Sequence, residues 1–225
     1  MPDRRRRARP GEENDMRRIL ALTLCLMTVF APLAARAAAV EEAFLTWLSA
    51  DAAIMATEET ADSQTHTYAA GGGHWTLQLD AAGRALSLRS EAESAESALM
   101  RRVEAEAALK AIDATALVVR AEEGSGAAKL WFVGETAAGW GMFDPAGHLA
   151  AGSITFGQFL TNGQLTFAGA SQTLSLLRPG AQLDSMEMDE DDGMLLYEGD
   201  AWLDGQEYEF ELDARTGRLL EWERD

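Results

Sequence analysis

The sequence predicts an α+β protein in which helices pack on antiparallel β-sheet meanders, and three observations support this class. Residues 194–225 contain three runs of alternating apolar and polar side chains, the pattern of half-buried antiparallel strands. Residues 95–112 carry apolar side chains at helical spacing. A turn that runs from Asp to Gly precedes a short strand at three places, which indicates a helix-and-strand unit repeated two or three times.

The first 37 residues are set apart from the predicted fold. Met16 opens a short basic segment, an apolar run fills 19–33, and Ala35-Arg36-Ala37 supplies the small residues of a cleavage point. We expect 16–37 to be a secretory signal peptide, cleaved after Ala37 or alternatively after Ala39, and 1–15 to be sequence upstream of the true start. The apolar run falls short of the roughly 20 residues that span a bilayer, so no integral span is expected after cleavage.

Composition excludes several classes of partner. The chain has 19 basic and 37 acidic residues and a formal net charge of −18. This excess argues against nucleic acid and against anionic membrane surfaces, and it leaves a basic partner, divalent cations or a solvated acidic surface. Cys25 is the only cysteine and lies in the apolar run behind a poor lipidation signal, so we expect neither a lipid anchor nor a disulfide in the mature chain.

We expect three units along the mature chain, at 38–92, 93–152 and 171–225, with 153–170 as a connector or hairpin around Asn162-Gly163. A single α+β domain whose hairpins resemble one another is the alternative. The first unit has a helix predicted at 40–50. Its predicted strands are 53–57, 65–69, 74–79 and 84–90. The second has a helix at 95–112 with apolar positions Leu99, Val103, Ala107, Leu109 and Ile112. Its predicted strands are 116–121, 129–133, 139–143 and 148–151.

The turn before the last strand of each unit carries the repeat. It runs from Asp80 to Gly83, from Asp144 to Gly147 and from Asp213 to Gly217, with one extra residue in the third. Asp can accept backbone N–H groups in such a turn, and Gly can adopt positive φ.

The last unit resembles the PepSY domain. The resemblance covers 171–225, with a helix at 171–177, a strand at 183–188, an acidic turn at 189–193 and then the meander. Its most recognisable pieces are Tyr197-Glu198, the Asp204-Gly205 turn, the run YEFELD at 208–213 and TGRLL at 216–220. The resemblance implies a small extracytoplasmic α+β module that binds and restrains peptidases or acts as an interaction module at the cell envelope. It supplies no catalytic residues.

Three tryptophans are candidates for partner binding. Trp202 has the opposite parity to Tyr197 and Leu203, so we expect it on the open face of its strand, where a large aromatic side chain can anchor a partner. Trp222 in the last unit and Trp140 in the middle unit are the other two candidates.

Other residues offer little chemistry. His66 and His74 could be neighbours across a hairpin and hold a metal ion with a carboxylate, although surface histidines are the simpler interpretation. The run 189–193 fails the register of an EF-hand loop, because its Gly is in the fifth place. No nucleophile is paired with a base, so we expect no catalytic, cofactor-binding or metal-binding residues and no enzyme activity.

The sequence thus predicts a secreted or periplasmic, non-enzymatic binding protein. By resemblance, it would modulate or inhibit a secreted or membrane peptidase. The alternative is an interaction or sensory module of the cell envelope that has no peptidase target.

Overall fold

The computed structural model describes residue 45 and residues 47–92, 100–124 and 126–224. The predicted upstream sequence, the signal peptide and Cys25 lie outside these residues. So do most of the helix predicted at 40–50 and the first residues of the helix predicted at 95–112.

The strands lie in two sheets and one short hairpin. In chain order they are β1 (Ala53–Glu59), β2 (Ser63–Ala70), β3 (Gly73–Asp80), β4 (Ala85–Ser90), β5 (Leu117–Gly124), β6 (Ala127–Val133), β7 (Ala137–Phe143), β8 (Leu149–Phe156), β9 (Leu160–Thr161), β10 (Gln164–Leu165), β11 (Gln182–Leu183), β12 (Glu187–Asp191), β13 (Met194–Leu203), β14 (Gln206–Asp213) and β15 (Leu219–Arg224). The helices are α1 (Arg102–Ile112) and α2 (Phe167–Leu177).

The larger sheet joins two four-stranded meanders edge to edge. Its order is β1-β2-β3-β4-β8-β7-β6-β5, and every neighbouring pair is antiparallel. The meanders meet where Leu88 of β4 pairs with Ile154 of β8. These two side chains are fully buried, so the junction is part of the core.

The predicted α+β class is wrong. Strands make up 55% of the described residues and helices only 13%, so the fold is a mostly antiparallel β structure. The prediction treated each meander as a small sheet that needs a helix of its own. Edge-to-edge pairing of β4 with β8 instead builds one wide sheet, which needs fewer helices to cover it.

Helix α1 is shorter than the helix predicted at 95–112, and it turns a different set of side chains towards the core. Met100 and Arg101 are not helical, and α1 begins at Arg102. Its buried side chains are Ala105, Ala108 and Leu109, whereas Val103 is 81% exposed. These three residues follow the i, i+3, i+4 spacing of one helix face. The small alanine side chains allow that face to lie close to the sheet. No helix within the described residues is long and apolar enough to cross a membrane.

A first core lies on one face of the larger sheet. Trp75, Leu77 and Leu88 are fully buried there, together with Phe132 of the second meander. Leu48, which precedes β1, and Leu109 of α1 belong to the same cluster. The two meanders therefore share one hydrophobic layer.

A second core joins the opposite face of the larger sheet to the C-terminal strands. Strands β11, β13, β14 and β15 form an antiparallel path, and β12 also pairs with β13. Ala170 and Leu174 of α2 cluster with Val133 of β6 and with Phe210 of β14. The hydroxyl of Tyr197 donates to the Leu165 carbonyl at 2.8 Å in this core. Helix α2 therefore packs against both sheets.

The region 153–170 contains the predicted hairpin in shortened form. Asn162 and Gly163 have positive φ, as a two-residue turn requires, but only β9 and β10 pair across it. Ile154 belongs to β8 instead. Helix α2 begins at Phe167 rather than 171, because the Thr166 hydroxyl accepts the Gly169 N–H at 3.1 Å and caps the helix there.

The predicted geometry of the three Asp-to-Gly turns is confirmed. Asp80, Asp144 and Asp213 each accept two backbone N–H groups of their own turn through Oδ1. The glycines at the turn ends have φ of 74°, 89° and 67°. A register shift precedes each turn, at Gln78/Leu79, Met142/Phe143 and Glu211/Leu212. The same bulged hairpin thus recurs at β3–β4, β7–β8 and β14–β15.

The Asp213→Ala variant tests how much such a turn contributes. It removes two side-chain hydrogen bonds, each worth about 0.5–1.5 kcal/mol, so we expect the free energy of unfolding to fall by about 1–3 kcal/mol at pH 7. Asp213→Asn keeps an acceptor oxygen and is the matched control, with a smaller loss. Urea denaturation measures both, and equal stability of Ala and wild type would contradict the assignment.

The pH dependence follows from the pKa of Asp213. Burial would raise that pKa, but the hydrogen bonds from Arg215 and Thr216 outweigh burial and lower the pKa below the ordinary value of an aspartate side chain. The stabilisation is therefore present above the unfolded pKa and is lost as the pH falls through the folded pKa. We expect the difference between wild type and Asp213→Ala to shrink in urea titrations below pH 4.

Candidate functional site

The outer face of the C-terminal sheet carries a continuous set of carboxylates, which we call the acidic face. Glu187, Glu198, Glu211 and Glu221 lie directly opposite one another on four adjacent strands. A second row beside them consists of Asp200, Glu209 and Glu223.

Alternation along each strand creates this face. Phe210 and Leu212 of β14 are buried against α2, so the intervening Glu209 and Glu211 must point the other way. Strand β13 repeats the arrangement, with buried Tyr197 and Ala201 on either side of the outward Glu198 and Asp200. The half-buried alternation of apolar and polar side chains predicted at 194–225 is therefore confirmed for β14.

An irregular edge segment shapes the acidic face into a cavity of about 540 Å³. Between β11 and β12 the chain crosses closely over Gly199, where an added Cβ would lie 2.2 Å from the Ser185 carbonyl oxygen. The Ser185 hydroxyl donates to Asp200 Oδ2 at 2.6 Å and orients that carboxylate. The predicted strand at 183–188 is thereby divided into β11 and β12, because Asp184 and Ser185 both donate to the Asp200 carbonyl.

The Glu211 carboxyl group, at the centre of the acidic face, has a raised pKa. Partial burial raises the pKa of Glu211, and the negative charges of Glu221, Glu198 and Asp191 raise it further. A hydrogen bond between the Glu211 and Glu221 side chains acts in the same direction. The Glu211 carboxyl group therefore holds its proton more readily than an isolated glutamate does.

Trp202 lies on the acidic face, as its parity predicts. It is 41% exposed and pairs with Gln182 on one side and Glu207 on the other. A large aromatic surface thus lies one row from the Asp200 and Glu209 carboxylates.

Trp222 lies on the opposite side of the same sheet. It pairs with buried Phe210, stacks on Tyr208 with ring centroids 4.7 Å apart, and has the Arg178 guanidinium 5.2 Å from its ring. Trp222 packs against the second core, on the face of the sheet opposite to Trp202.

Trp140 lies on a third surface, the face of the larger sheet that is opposite to the first core. The Lys129 ammonium is 3.6 Å from its ring centroid, and the paired Trp131 has the Arg120 guanidinium 4.6 Å from its ring. The three tryptophans predicted from sequence are therefore not brought together. Whether each binds a partner stays a prediction.

The interpretation of His66 and His74 as two ligands of one metal ion is wrong. His66 pairs with Leu77 and shares the core face of β2, whereas His74 pairs with Ala69 and lies on the other face, 3.2 Å from a Glu91 carboxylate oxygen. The two rings cannot hold one metal ion from opposite faces of a sheet. Among the described residues, no group of three or more His, Cys, Asp or Glu side chains is arranged to hold a metal ion.

The acidic run 189–193 is not a loop. Asp189 and Asp191 belong to β12 and pair with Leu196 and Met194, while Asp192 and Gly193 form the turn with φ of 47° and 77°. The run therefore extends the edge of the acidic face.

Comparison with known proteins gives limited matches. No family model matches the chain, and no curated protein matches it. The C-terminal domain of Bacillus megaterium YpeB aligns with a TM-score of 0.41 and 9% identity, over 83% of this chain and 96% of that one. A candidate lipoprotein from Clostridium difficile aligns with a TM-score of 0.26 and 15% identity, over 56% and 93% of the two chains. At these scores neither alignment assigns the fold or a function.

The Glu211→Gln variant tests the repulsion at the acidic face. Because the pKa of Glu211 is raised above the ordinary value of a glutamate side chain, folding favours the protonated form, and that contribution is lost as the pH rises through the folded pKa. We expect the variant to be more stable than wild type at pH 7 by a few tenths of a kcal/mol to about 1 kcal/mol. Urea denaturation at pH 7 and pH 4 measures this, and the gain should vanish at pH 4.

The matched control is Glu58→Gln on β1, whose partner across the strand pair is Thr65. It removes the same charge from an exposed strand position, and we expect no measurable change at either pH. A gain at pH 7 as large as that of Glu211→Gln would show that net charge, rather than the glutamate row, is responsible.

Proposed function

We propose that the protein is an extracytoplasmic, non-enzymatic binding protein whose acidic face contacts the basic surface of a partner protein. The observation that carries the proposal is the row of four glutamates opposite one another on adjacent strands. Like charges in directly opposed positions destabilise a sheet, so folding alone does not favour this arrangement. Lysine and arginine side chains of a partner would relieve the repulsion.

The dimensions of the acidic face favour a protein as its ligand. Neighbouring strands are about 4.8 Å apart, so the row across four strands extends over about 14 Å. A single metal ion gathers its ligands within about 2.6 Å, whereas a protein surface can contact the whole row. Trp202 at one end adds an aromatic anchor of the kind that dominates binding energy at interfaces.

The nature of the partner comes from the resemblance of 171–225 to the PepSY domain. That resemblance supports an extracytoplasmic peptidase as the target, which this chain would restrain by binding and without chemistry of its own. The signal-peptide pattern at 16–37 supports export to the same compartment.

A second candidate is an envelope interaction or sensory module that has no peptidase target. The raised pKa of the Glu211 carboxyl group favours it, because a group with a shifted pKa among other negative charges can respond to a change in pH. In this alternative, a change in pH would alter the charge of the acidic face and thereby its binding to another envelope protein.

The experiment compares two variants that change net charge equally. Glu198→Gln/Glu211→Gln/Glu221→Gln neutralises the acidic face, and Glu58→Gln/Glu59→Gln/Asp62→Asn neutralises three exposed side chains in and after β1. Each purified protein is titrated against the peptidases secreted by the same organism, with affinity and peptidase activity measured at low and high salt. We expect the first variant to lose at least tenfold in affinity and the second to match wild type.

The outcomes separate the two candidates. If the wild type neither binds nor slows any of these peptidases, peptidase regulation is wrong. If it binds one but both variants bind equally well, the acidic face is not the interface. If binding occurs without any change in peptidase rate, the interaction module is favoured over the inhibitor.

A further inference from the structure

Strand β5 is an edge of the larger sheet. Within the described strands, it is hydrogen-bonded to β6 on one side only and ends the strand order on the other. An edge strand presents backbone N–H and C=O groups that can pair with another extended chain. Edge strands are therefore the places where a sheet can accept a peptide as an added strand.

An apolar groove borders this edge, and we call it the β5 groove. It has a volume of about 730 Å³ and lies where β5, the end of α2 and the C-terminal sheet meet. Its apolar side chains are Val118, Val119, Leu177, Met194, Leu219 and Leu220. Met194 and Leu220 are 44% and 40% exposed, so the groove is open to solvent rather than filled by the chain's own core.

A β-bulge opens the groove towards the strand edge. The register of β5 with β6 shifts between Val118 and Arg120, which leaves Val119 without a cross-strand partner. Val119 packs instead towards the C-terminal turn, where an added Cβ on Gly217 would lie 2.9 Å from its Cγ1. Bulges redirect side chains at sheet edges, and this one directs Val119 towards the second core and the groove.

The charges of the β5 groove are opposite to those of the chain as a whole. Arg178 and Arg218 line it in a protein of net charge −18. The Asp213 carboxylate also lines it but accepts the N–H groups of Arg215 and Thr216, so it is committed to its own turn. The Arg178 guanidinium lies on the Trp222 ring, which holds it beside the groove.

We propose that the β5 edge and the β5 groove together bind an extended peptide in which an apolar side chain is flanked by acidic ones. The peptide backbone adds to β5 as an antiparallel or parallel strand. Its apolar side chain enters the groove beside Val119 and Leu219, and carboxylates two residues away on the same face pair with the two arginines. Charge complementarity with Arg178 and Arg218 selects this occupant over a basic peptide or a second acidic copy of the chain. It acts at the groove end of β5, beside Val118 and Val119, and not at the other end of the strand, where Glu122 and Glu123 lie.

This surface is distinct from the acidic face and selects the opposite charge. The acidic face lies on the outer side of the C-terminal sheet, whereas the β5 groove lies at the junction of the two sheets. The inference therefore goes beyond the proposed function and does not depend on it. An acidic probe is repelled by the acidic face, so its binding does not report on that surface.

The test uses the purified protein and a fluorescein-labelled heptapeptide, Thr-Glu-Thr-Leu-Thr-Glu-Thr. This peptide places Leu and both Glu side chains on one face of a strand and favours extended structure through Thr. Fluorescence anisotropy measures its affinity. We expect it to bind at least tenfold more tightly than the same peptide with Gln in place of Glu. N-methylation of alternate backbone nitrogens, which removes strand hydrogen bonds, should also weaken binding at least tenfold.

Arg218→Gln and Arg215→Gln provide the matched pair of variants. Both residues are exposed, Arg215 within the turn from Asp213 to Gly217 and Arg218 directly after it, but only Arg218 lines the β5 groove. We expect Arg218→Gln to weaken binding of the acidic peptide about three- to tenfold and Arg215→Gln to leave it unchanged. Equal effects of the two variants would show general attraction to the turn and would overturn the proposal.

Two further results would also overturn it. Undiminished binding of the N-methylated peptide would exclude strand addition at β5. Sedimentation that shows a stable dimer, with β5 protected from hydrogen exchange, would show that a second copy already occupies the edge. Monomeric protein with β5 amides that become protected only when the peptide is added is the expected result.

Discussion

The close packing of α2 between the two sheets is the constraint on which the C-terminal half depends. Ala170 and Thr173 of α2 are fully buried, and the helix lies so close to the connector between β8 and β9 that an added Cβ on Gly169 would lie 2.0 Å from the Phe159 carbonyl oxygen. Thr173 is fully buried but donates its hydroxyl to the Gly169 carbonyl at 2.7 Å, so no polar group is left unsatisfied there. Because α2 covers one side of the C-terminal sheet, the carboxylates must occupy the other.

That placement produces two surfaces of opposite charge within one molecule. The acidic face concentrates glutamates that repel one another, while the β5 groove holds two arginines beside an apolar hollow. Electrostatic complementarity governs which partners approach and in which orientation, more than how tightly they bind. A chain with both surfaces can hold a basic protein surface and an acidic extended segment separately, whether these belong to one partner or to two.

Part of the candidate site could be inferred from the sequence. The two-residue turn at Asp204-Gly205 sets the register of its hairpin, and that register places Glu198 opposite Glu211. The turn from Asp213 to Gly217 is longer and is accompanied by a bulge, so the position of Glu221 beside Glu211 could not be read from spacing. The same difficulty explains the histidines. Three consecutive glycines left the hairpin register open, and the observed turn at Gly71-Gly72 places His66 and His74 on opposite faces.

The sequence alone determined the local elements: where the strands lie, which side of β14 is apolar, and how Asp and Gly close each turn. These depend on side-chain alternation and on backbone preferences within a few residues. Only the tertiary structure decided that β4 pairs with β8, that α2 packs against both sheets, and that β5 remains an edge beside a groove. Strand edges and apolar faces have no local preference for a particular partner. Their pairing is set by contacts between residues far apart in the chain, such as Leu88 with Ile154 and Val133 with Ala170.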